Sequence, residues 1–240
     1  MNGSMIPILF AVLMVLTSSP LSGDEASPTW AKGATPLPSC ANPSTSGAGH
    51  LASPDGAIVI GVECDANETH KLRVTAFGRT DAVSLRHGSV ELLWALNSRA
   101  FLINGAESAY AGSFVEVFRI EPSGVHRHAI DRHVQADMVS QFPPCKAANA
   151  PEHCKAIETQ PDFNVSGVAW TRGSSAIIVV AEVPCSSTYG GIMCQVRGYE
   201  VRGTDGQVLR EMSPRQLKDE WQARMAWPLR TPTNIEGRIR

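Results

Sequence analysis

Three stretches of the chain repeat one order of apolar and polar residues. Each runs from a turn into an apolar strand, through a loop into a second strand, and through a tight turn into a short third strand. In KLRVTAF, polar residues separate Leu72, Val74 and Ala76, which is the alternation of a strand with one buried face. The segments AIVIGV and AIIVVAEV are apolar at both alternating sets of positions. This pattern predicts that both of their faces are covered.

The three units match in the place of one residue. Trp94 in the second unit and Trp170 in the third correspond to Ala52 in the first. Ala52 and Trp94 are 42 residues apart, which fits the roughly 40–45 residues of a propeller blade. Trp94 and Trp170 are 76 residues apart, and most of the excess is residues 134–165. The spacing predicts a blade with an insertion or two blades of which one is degenerate, so three or four in all.

Two segments carry a resemblance to a known family. W-x-x-N-S-R-A-F-L-I and S-P-D-G-A-I-V-I resemble the strand openings of WD40-like, TolB-type β-propeller repeats, where W-S-P-D-G precedes an inner strand. The resemblance covers about 160 residues, and only the first unit keeps Ser-Pro-Asp-Gly. It implies an all-β, propeller-like array of antiparallel sheets used as a binding scaffold, and it brings no catalytic residues. A β-sandwich of hairpins is the alternative fold.

The ends of the chain differ from the units. Residues 1–23, with the apolar run 5–17, have the form of a secretory signal peptide. Residues 24–49 are rich in Pro, Ser, Gly and Ala and predict a linker before the β domain at 50–212. An uncleaved membrane anchor is the alternative for the first segment, and export from the cytoplasm follows in either case.

A helix is predicted at 213–227, before a tail at 228–240. Ser213 and Gln216 fit a capping box, with Pro214 at the first helical position. Leu217, Trp221 and Met225 recur every four residues. This apolar stripe predicts that the helix docks on the β domain.

Composition narrows the classes of partner. The 240 residues are 43% hydrophobic and carry a net charge of −2. Such a balance gives no general attraction to nucleic acid or to anionic lipid. We therefore expect no nucleic-acid partner, and a membrane partner only if the N-terminal segment is retained.

Six cysteines behind an export signal predict disulfides rather than a metal site, since no C-x2-C pair occurs. Six cysteines allow fifteen pairings. The repeated x8 spacing favours neighbours: Cys145 with Cys154 and Cys185 with Cys194, which leaves Cys40 with Cys64.

Candidate chemistry is sparse. GVHRHAIDRHVQAD holds His126, His128 and His133, which are weak candidates for metal ligands; the alternative is an exposed polar strand and loop. No G-x-S-x-G, H-E-x-x-H or glycine-rich phosphate loop occurs. Tyr189, in the loop SSTYGG, is a candidate contact residue.

These observations predict a periplasmic or secreted, non-enzymatic binding protein on a β scaffold, with no cofactor. Its partner is an unidentified protein, peptide or envelope glycan. The alternative is an extracytoplasmic hydrolase or metal-dependent enzyme whose site residues are dispersed along the chain.

Overall fold

The computed structural model describes residues 30–40, 49–106, 112–140, 163–185 and 193–229. These residues form three antiparallel sheets, and the predicted all-β class is confirmed. Sheet I contains β2 to β5, sheet II contains β6 to β9 with β1 added beside β6, and sheet III contains β10 to β13. The strands are β1 (Thr35–Pro36), β2 (Gly49–Ala52), β3 (Val59–Cys64), β4 (His70–Ala76), β5 (Arg79–Ser84), β6 (Ser89–Trp94), β7 (Ala100–Ala106), β8 (Ser113–Glu121), β9 (Gly124–Ala129), β10 (Asn164–Trp170), β11 (Ala176–Glu182), β12 (Val196–Arg202) and β13 (Val208–Met212).

The sheets stack as layers, and apolar side chains fill each space between them. Strand β7 sends Phe101 and Ile103 towards sheet I and Leu102 towards sheet III. Strand β11 likewise sends Val179 towards sheet II and Ile178 to the opposite side. Because alternate residues of a strand point to opposite faces, both strands carry apolar residues on both faces.

Sheet I corrects one prediction. The segment AIIVVAEV is buried on both faces, as predicted, but AIVIGV is not, because Val59 is 39% exposed. Ile60 and Val62 face sheet II, whereas Arg73 and Lys71 on the neighbouring strand are exposed. Sheet I is an outer layer of the described stack, so an apolar run there has only one covered face.

Besides β1 in sheet II, each sheet has one more strand than the sequence pattern indicates. The additional strands are β2, β6 and β10, and each precedes the three predicted strands of its sheet. Ala52, Trp94 and Trp170 are the last residues of these strands. The three positions that the sequence pattern matches therefore occupy the same place in their sheets, at the end of the first strand of each unit.

The turn that follows this place has the same hydrogen bond in all three sheets. Ser53 N donates to Ile58 O over 2.9 Å, Ala95 N to Ala100 O over 2.9 Å and Thr171 N to Ala176 O over 3.0 Å. The fourth residue of each turn has a left-handed backbone, with φ of 71° at Gly56, 57° at Ser98 and 54° at Ser174.

Serine hydroxyls join these turns from sheet to sheet. The Oγ of Ser98 accepts from Asp55 N at 3.1 Å, and the Oγ of Ser174 accepts from Asn97 N at 3.3 Å. Both serines are buried. A buried hydroxyl with a backbone partner helps to fix the relative position of two layers.

Two helices complete the described fold. Helix α1 (Asp131–Ser140) was not predicted, and the interpretation of this region as an exposed strand and loop is wrong from Asp131 onwards. Its Val134 and Met138 are one helical turn apart and are fully buried between sheets II and III. The polar residues around them conceal this short apolar stripe.

Helix α2 (Pro214–Trp221) confirms the predicted cap and docking face, and a 3₁₀ turn (Gln222–Arg224) follows it. Ser213 Oγ accepts from Gln216 N, and Gln216 Oε1 accepts from Ser213 N, as a capping box requires. Leu217 is fully buried against sheet III, and Trp221 is partly buried there.

Two of the three predicted disulfides are confirmed. Cys40 bonds to Cys64 with a Cα–Cα distance of 5.4 Å, and Cys185 bonds to Cys194 with a Cα–Cα distance of 4.5 Å. Cys145 and Cys154 lie outside the described residues.

A buried polar network joins sheets II and III to the N-terminal segment. The carboxylate of Glu91 accepts from Trp30 N at 2.9 Å, from Ala31 N at 3.1 Å and from Asn104 Nδ2 at 2.6 Å. Asn104 also exchanges two hydrogen bonds of 2.8 Å with the backbone of Gly167 on β10. Glu91 and Asn104 have no exposed surface.

A second group of charges lies where β8, β9 and α1 meet, and its two carboxylates, Glu116 and Asp131, are buried. Arg127 pairs with Glu116, and Arg86 Nη1 lies 2.6 Å from Asp131 Oδ2. Arg86 also stacks on the ring of Phe114 at 4.0 Å. Burial is the main cause that raises the pKa of Glu116 above its usual 4.5, with Arg127 opposing the shift. Each carboxylate has an arginine partner, so the group is a structural ion-pair cluster.

The serine hydroxyls that join the turns yield a stability prediction. Ser98→Ala and Ser174→Ala should each lower the free energy of unfolding by about 1–2 kcal/mol, because each leaves a backbone N–H without its acceptor. Chemical denaturation measures the change. The exposed neighbour Ser175→Ala is the matched control and should change stability by less than about 0.5 kcal/mol. Equal effects at Ser174 and Ser175 would remove the structural role assigned to the hydroxyl.

Glu116 yields a pH prediction. Because its pKa is raised in the folded chain, its stabilising contribution is complete below the unfolded pKa of 4.5 and is lost as the pH rises through the folded value. The unfolding free energy of the wild type, relative to Glu116→Gln, should therefore fall as the pH rises above the unfolded pKa of 4.5. Denaturation at a series of pH values on both sides of 4.5 tests the sign. A difference that rises with pH would contradict the raised pKa.

Candidate functional site

An open cleft lies where β6 and β10 end side by side. Sheets II and III provide its floor, and the segments before β1 and after α2 provide one rim. The lining is apolar apart from two cations, and consists of Lys32, Leu93, Trp94, Leu96, Val168, Ala169, Trp170 and Arg224. An apolar cleft with a few convergent polar groups is the usual form of a ligand site.

The two tryptophans of the cleft occupy the matched positions at the ends of β6 and β10. Trp170 is 7% exposed, and its Nε1 donates to Leu93 O over 3.2 Å, which fixes the indole across the space between the sheets. Trp94 is partly buried and meets Phe101 edge to face, with ring centroids 5.4 Å apart. Both rings are therefore held in place without a ligand.

Leu96 is the exposed apolar group of the cleft. It lies in the turn after Trp94 and is 69% exposed, more than any other large apolar side chain in the described ranges. One exposed leucine is ordinary on a protein surface. Its position beside a cleft with two tryptophans makes it available to an apolar ligand.

Lys32 and Arg224 place positive charge on the rim. Their backbones are joined, since Lys32 N donates to Arg224 O over 2.8 Å, and the neighbours Ala31 and Met225 form a β-bridge. Neither side chain has an ion-pair partner among the described residues. Two such cations on adjacent segments favour an anionic group in the cleft.

The carboxylate of Glu91 fixes this rim from below. It binds the backbone N–H groups of Trp30 and Ala31, which directly precede Lys32. The rim is thus attached to β6, the strand that carries Trp94.

The predicted histidines do not assemble a catalytic relay. His126 Nε2 lies 3.0 Å from Ser123 Oγ and 3.8 Å from Glu121 Oε2, so both contacts involve one ring nitrogen. A Ser–His–carboxylate triad needs the serine on one nitrogen and the carboxylate on the other. Glu121 ends β8, Ser123 lies in the turn after it and His126 lies on β9, and all three residues are exposed.

His128 and His133 lie on separate elements. His128 is on β9, and burial is the main cause that lowers its pKa. His133 is on α1, with its ring against Gly206, where an added Cβ would approach to 2.4 Å. Among the described residues, the group of three that is close enough to hold a metal ion is instead Cys40, Cys64 and His70.

Tyr189 lies outside the described residues, but the base of its loop is described. Beside the Cys185–Cys194 bond, Val183 N donates to Gln195 O and Cys194 N donates to Val183 O, each over 2.9 Å. The two strands are thus held together at the base of this loop.

Sequence patterns missed most of the cleft. The matched tryptophans are a visible signal, because their place in the units is the same. No local pattern connects them with Lys32 or Arg224, which reach the cleft from opposite ends of the chain.

Comparisons with known proteins give no family for the chain. No protein-family model matches it, and no curated protein matches it significantly. Within the described ranges, neither helix has the length and apolar character needed to cross a membrane.

The exposed cleft residues should be dispensable for folding. Leu96→Ser and the double variant Lys32→Glu/Arg224→Glu should change the unfolding free energy by less than about 0.5 kcal/mol each, because surface substitutions rarely do more. Trp170→Ala should cost about 3–5 kcal/mol, since its ring is part of the core. Urea denaturation of the variants separates the two groups, and a large loss at Leu96 would assign it to the core instead.

Proposed function

We propose that the protein is an exported, non-enzymatic binding module that holds its ligand in the cleft between Trp94 and Trp170. The carrying observation is the combination, at one place, of two fixed tryptophans, the exposed Leu96 and two cations that have no ion-pair partner within the described part of the chain. The described lining residues have no carboxylate, imidazole, hydroxyl or thiol side chain. Such a lining suits recognition better than acid–base or nucleophilic chemistry.

The scaffold in this proposal is a propeller-like array of three blades. The matched turns, the serine links between them and the face-to-face stacking of the sheets support it. Ligand sites in such scaffolds lie where loops of successive units meet, and the rigid strands lower the ordering cost of binding.

The protein is proposed to act in the periplasm or outside the cell. The disulfides Cys40–Cys64 and Cys185–Cys194 suggest an oxidising, extracytoplasmic environment. The apolar segment at 5–17 has the form of an export signal.

The ligand is proposed to combine an apolar or ring portion with a carboxylate. Trp94 and Leu96 would contact the apolar portion, and Lys32 with Arg224 would attract the carboxylate. A peptide with a free C-terminus and an acidic envelope oligosaccharide share this chemistry. The two sources are separated by testing both.

The proposal predicts charge-dependent binding. Calorimetry would compare a short apolar peptide with a free carboxylate, the same peptide amidated, and acidic and neutral oligosaccharides. Lys32→Glu/Arg224→Glu should remove the preference for the carboxylate form, a change of about 2–30-fold for two exposed pairs. Leu96→Ser should weaken charged and neutral forms alike by about tenfold, through lost apolar contact.

Arg215→Glu is the matched control, because Arg215 is an exposed cation on α2 away from the cleft lining. It should bind as the wild type does. The proposal fails if both cleft variants bind the ligands as this control does. It also fails if the wild type binds neither class of ligand and both cleft variants capture the same material from envelope extract as the wild type does.

A further inference from the structure

A separate group of side chains lies at the edge of sheet I. Cys64 ends β3 and stands directly opposite His70, the first residue of β4. Cys40 is brought to them from the segment after β1 by its bond to Cys64. One ligand atom from each of the three residues lies within 4.8 Å of the others. Cys40 and His70 are buried, at 7% and 6% exposure.

The imidazole of His70 is held in one orientation. Its Nε2 lies 2.7 Å from the carbonyl oxygen of Pro38. A carbonyl can only accept, so Nε2 carries the proton and Nδ1 keeps its lone pair. Histidines that bind metals have such a partner on the other nitrogen, which fixes the tautomer. Here the segment that supplies Cys40 also supplies the orienting carbonyl.

A disulfide alone does not need this histidine. The Cys40–Cys64 bond links the segment after β1 to sheet I with two residues, whereas His70 adds a buried ring nitrogen beside the sulfurs. In the oxidised protein the sulfurs are bonded to each other and are not thiolates, which are the form that metals bind.

We propose that Cys40, Cys64 and His70 form a zinc-binding site when the disulfide is reduced. Two thiolates and one imidazole form a donor set suited to Zn²⁺, with the fourth tetrahedral position left to water. Metal binding and the disulfide exclude each other, so the redox state of this pair decides whether the site exists. The proposal is independent of the cleft.

The chemistry balances with a dithiol reductant. The dithiol gives two electrons and two protons to the S–S bond, which breaks into two thiols, and becomes a disulfide itself. Zn²⁺ then replaces the two thiol protons, which are released to solvent. The spacing of Cys40, Cys64 and His70 follows no zinc-finger motif, so only the fold assembles this site.

The test measures zinc affinity of the full chain before and after reduction by a phosphine, using competition with a chromophoric chelator. The reduced wild type and Cys185→Ser/Cys194→Ser should each bind one Zn²⁺ at this site, and Cys40→Ser/Cys64→Ser should lose it. The oxidised wild type should not bind there. His70→Gln should weaken zinc binding by at least tenfold. Loss of a residue that only hydrogen-bonds to a metal ligand already costs about 10–100-fold in metal affinity, and His70 would be a direct ligand.

His50→Gln is the matched control, since His50 is an exposed histidine of the same sheet. Cobalt in place of zinc gives a second readout, because thiolate–cobalt charge-transfer bands should appear in the reduced wild type and change in His70→Gln. Equal affinity of His70→Gln and His50→Gln would overturn the proposal, whether or not the reduced chain stays folded. Absence of zinc binding by the reduced wild type, or wild-type affinity in Cys40→Ser/Cys64→Ser, would overturn it as well.

Discussion

The carboxylate of Glu91 has no exposed surface, and its hydrogen bonds join the N-terminal segment to sheet II and, through Asn104, to sheet III. It binds the N–H groups of Trp30 and Ala31 and the side chain of Asn104. Asn104 in turn pairs with both polar backbone groups of Gly167. A buried carboxylate is tolerated only with such a set of hydrogen-bond donors. Sheet II, sheet III and the N-terminal segment must therefore all be in place in the folded protein. If any one of them is misplaced, a buried polar group loses its hydrogen-bond partner.

The candidate cleft is a consequence of that network. Gly167 lets β10 approach β7, because a Cβ there would come within 2.8 Å of Leu102. The register of β10 shifts immediately afterwards, between Gly167 and Ala169. This irregularity lies just before Trp170, whose indole then crosses to Leu93. The hydrogen bonds between Asn104 and Gly167 therefore bring sheets II and III together next to the cleft. The hydrogen bond from Ala31 N to Glu91 places Lys32 at the rim of that cleft.

The sequence predicts features whose cause is local. The alternation at Leu72 and Val74, the capping box of Ser213 and the neighbour pairing of Cys185 with Cys194 each depend on residues close in the chain. Features that depend on distant residues were not predictable. Lys32 meets Arg224 only because the N-terminal segment is held on β6, and the exposure of Val59 depends on the position of sheet I in the stack. Helix α1 is concealed because two buried side chains are enough to anchor it.

The matched turns explain why the cleft occurs between sheets II and III. At the left-handed position, sheets II and III have Ser98 and Ser174, whose hydroxyls bind the turn of the sheet before. Sheet I has Gly56 there, and its outer strands present exposed charges rather than another layer. A serine side chain is needed at this turn position only where the turn of another described sheet lies next to it. Trp94 and Trp170 follow the same logic, since Ala52 stands at that place in sheet I. Both tryptophans line the cleft, and among the described sheets only II and III have the larger residue at this place.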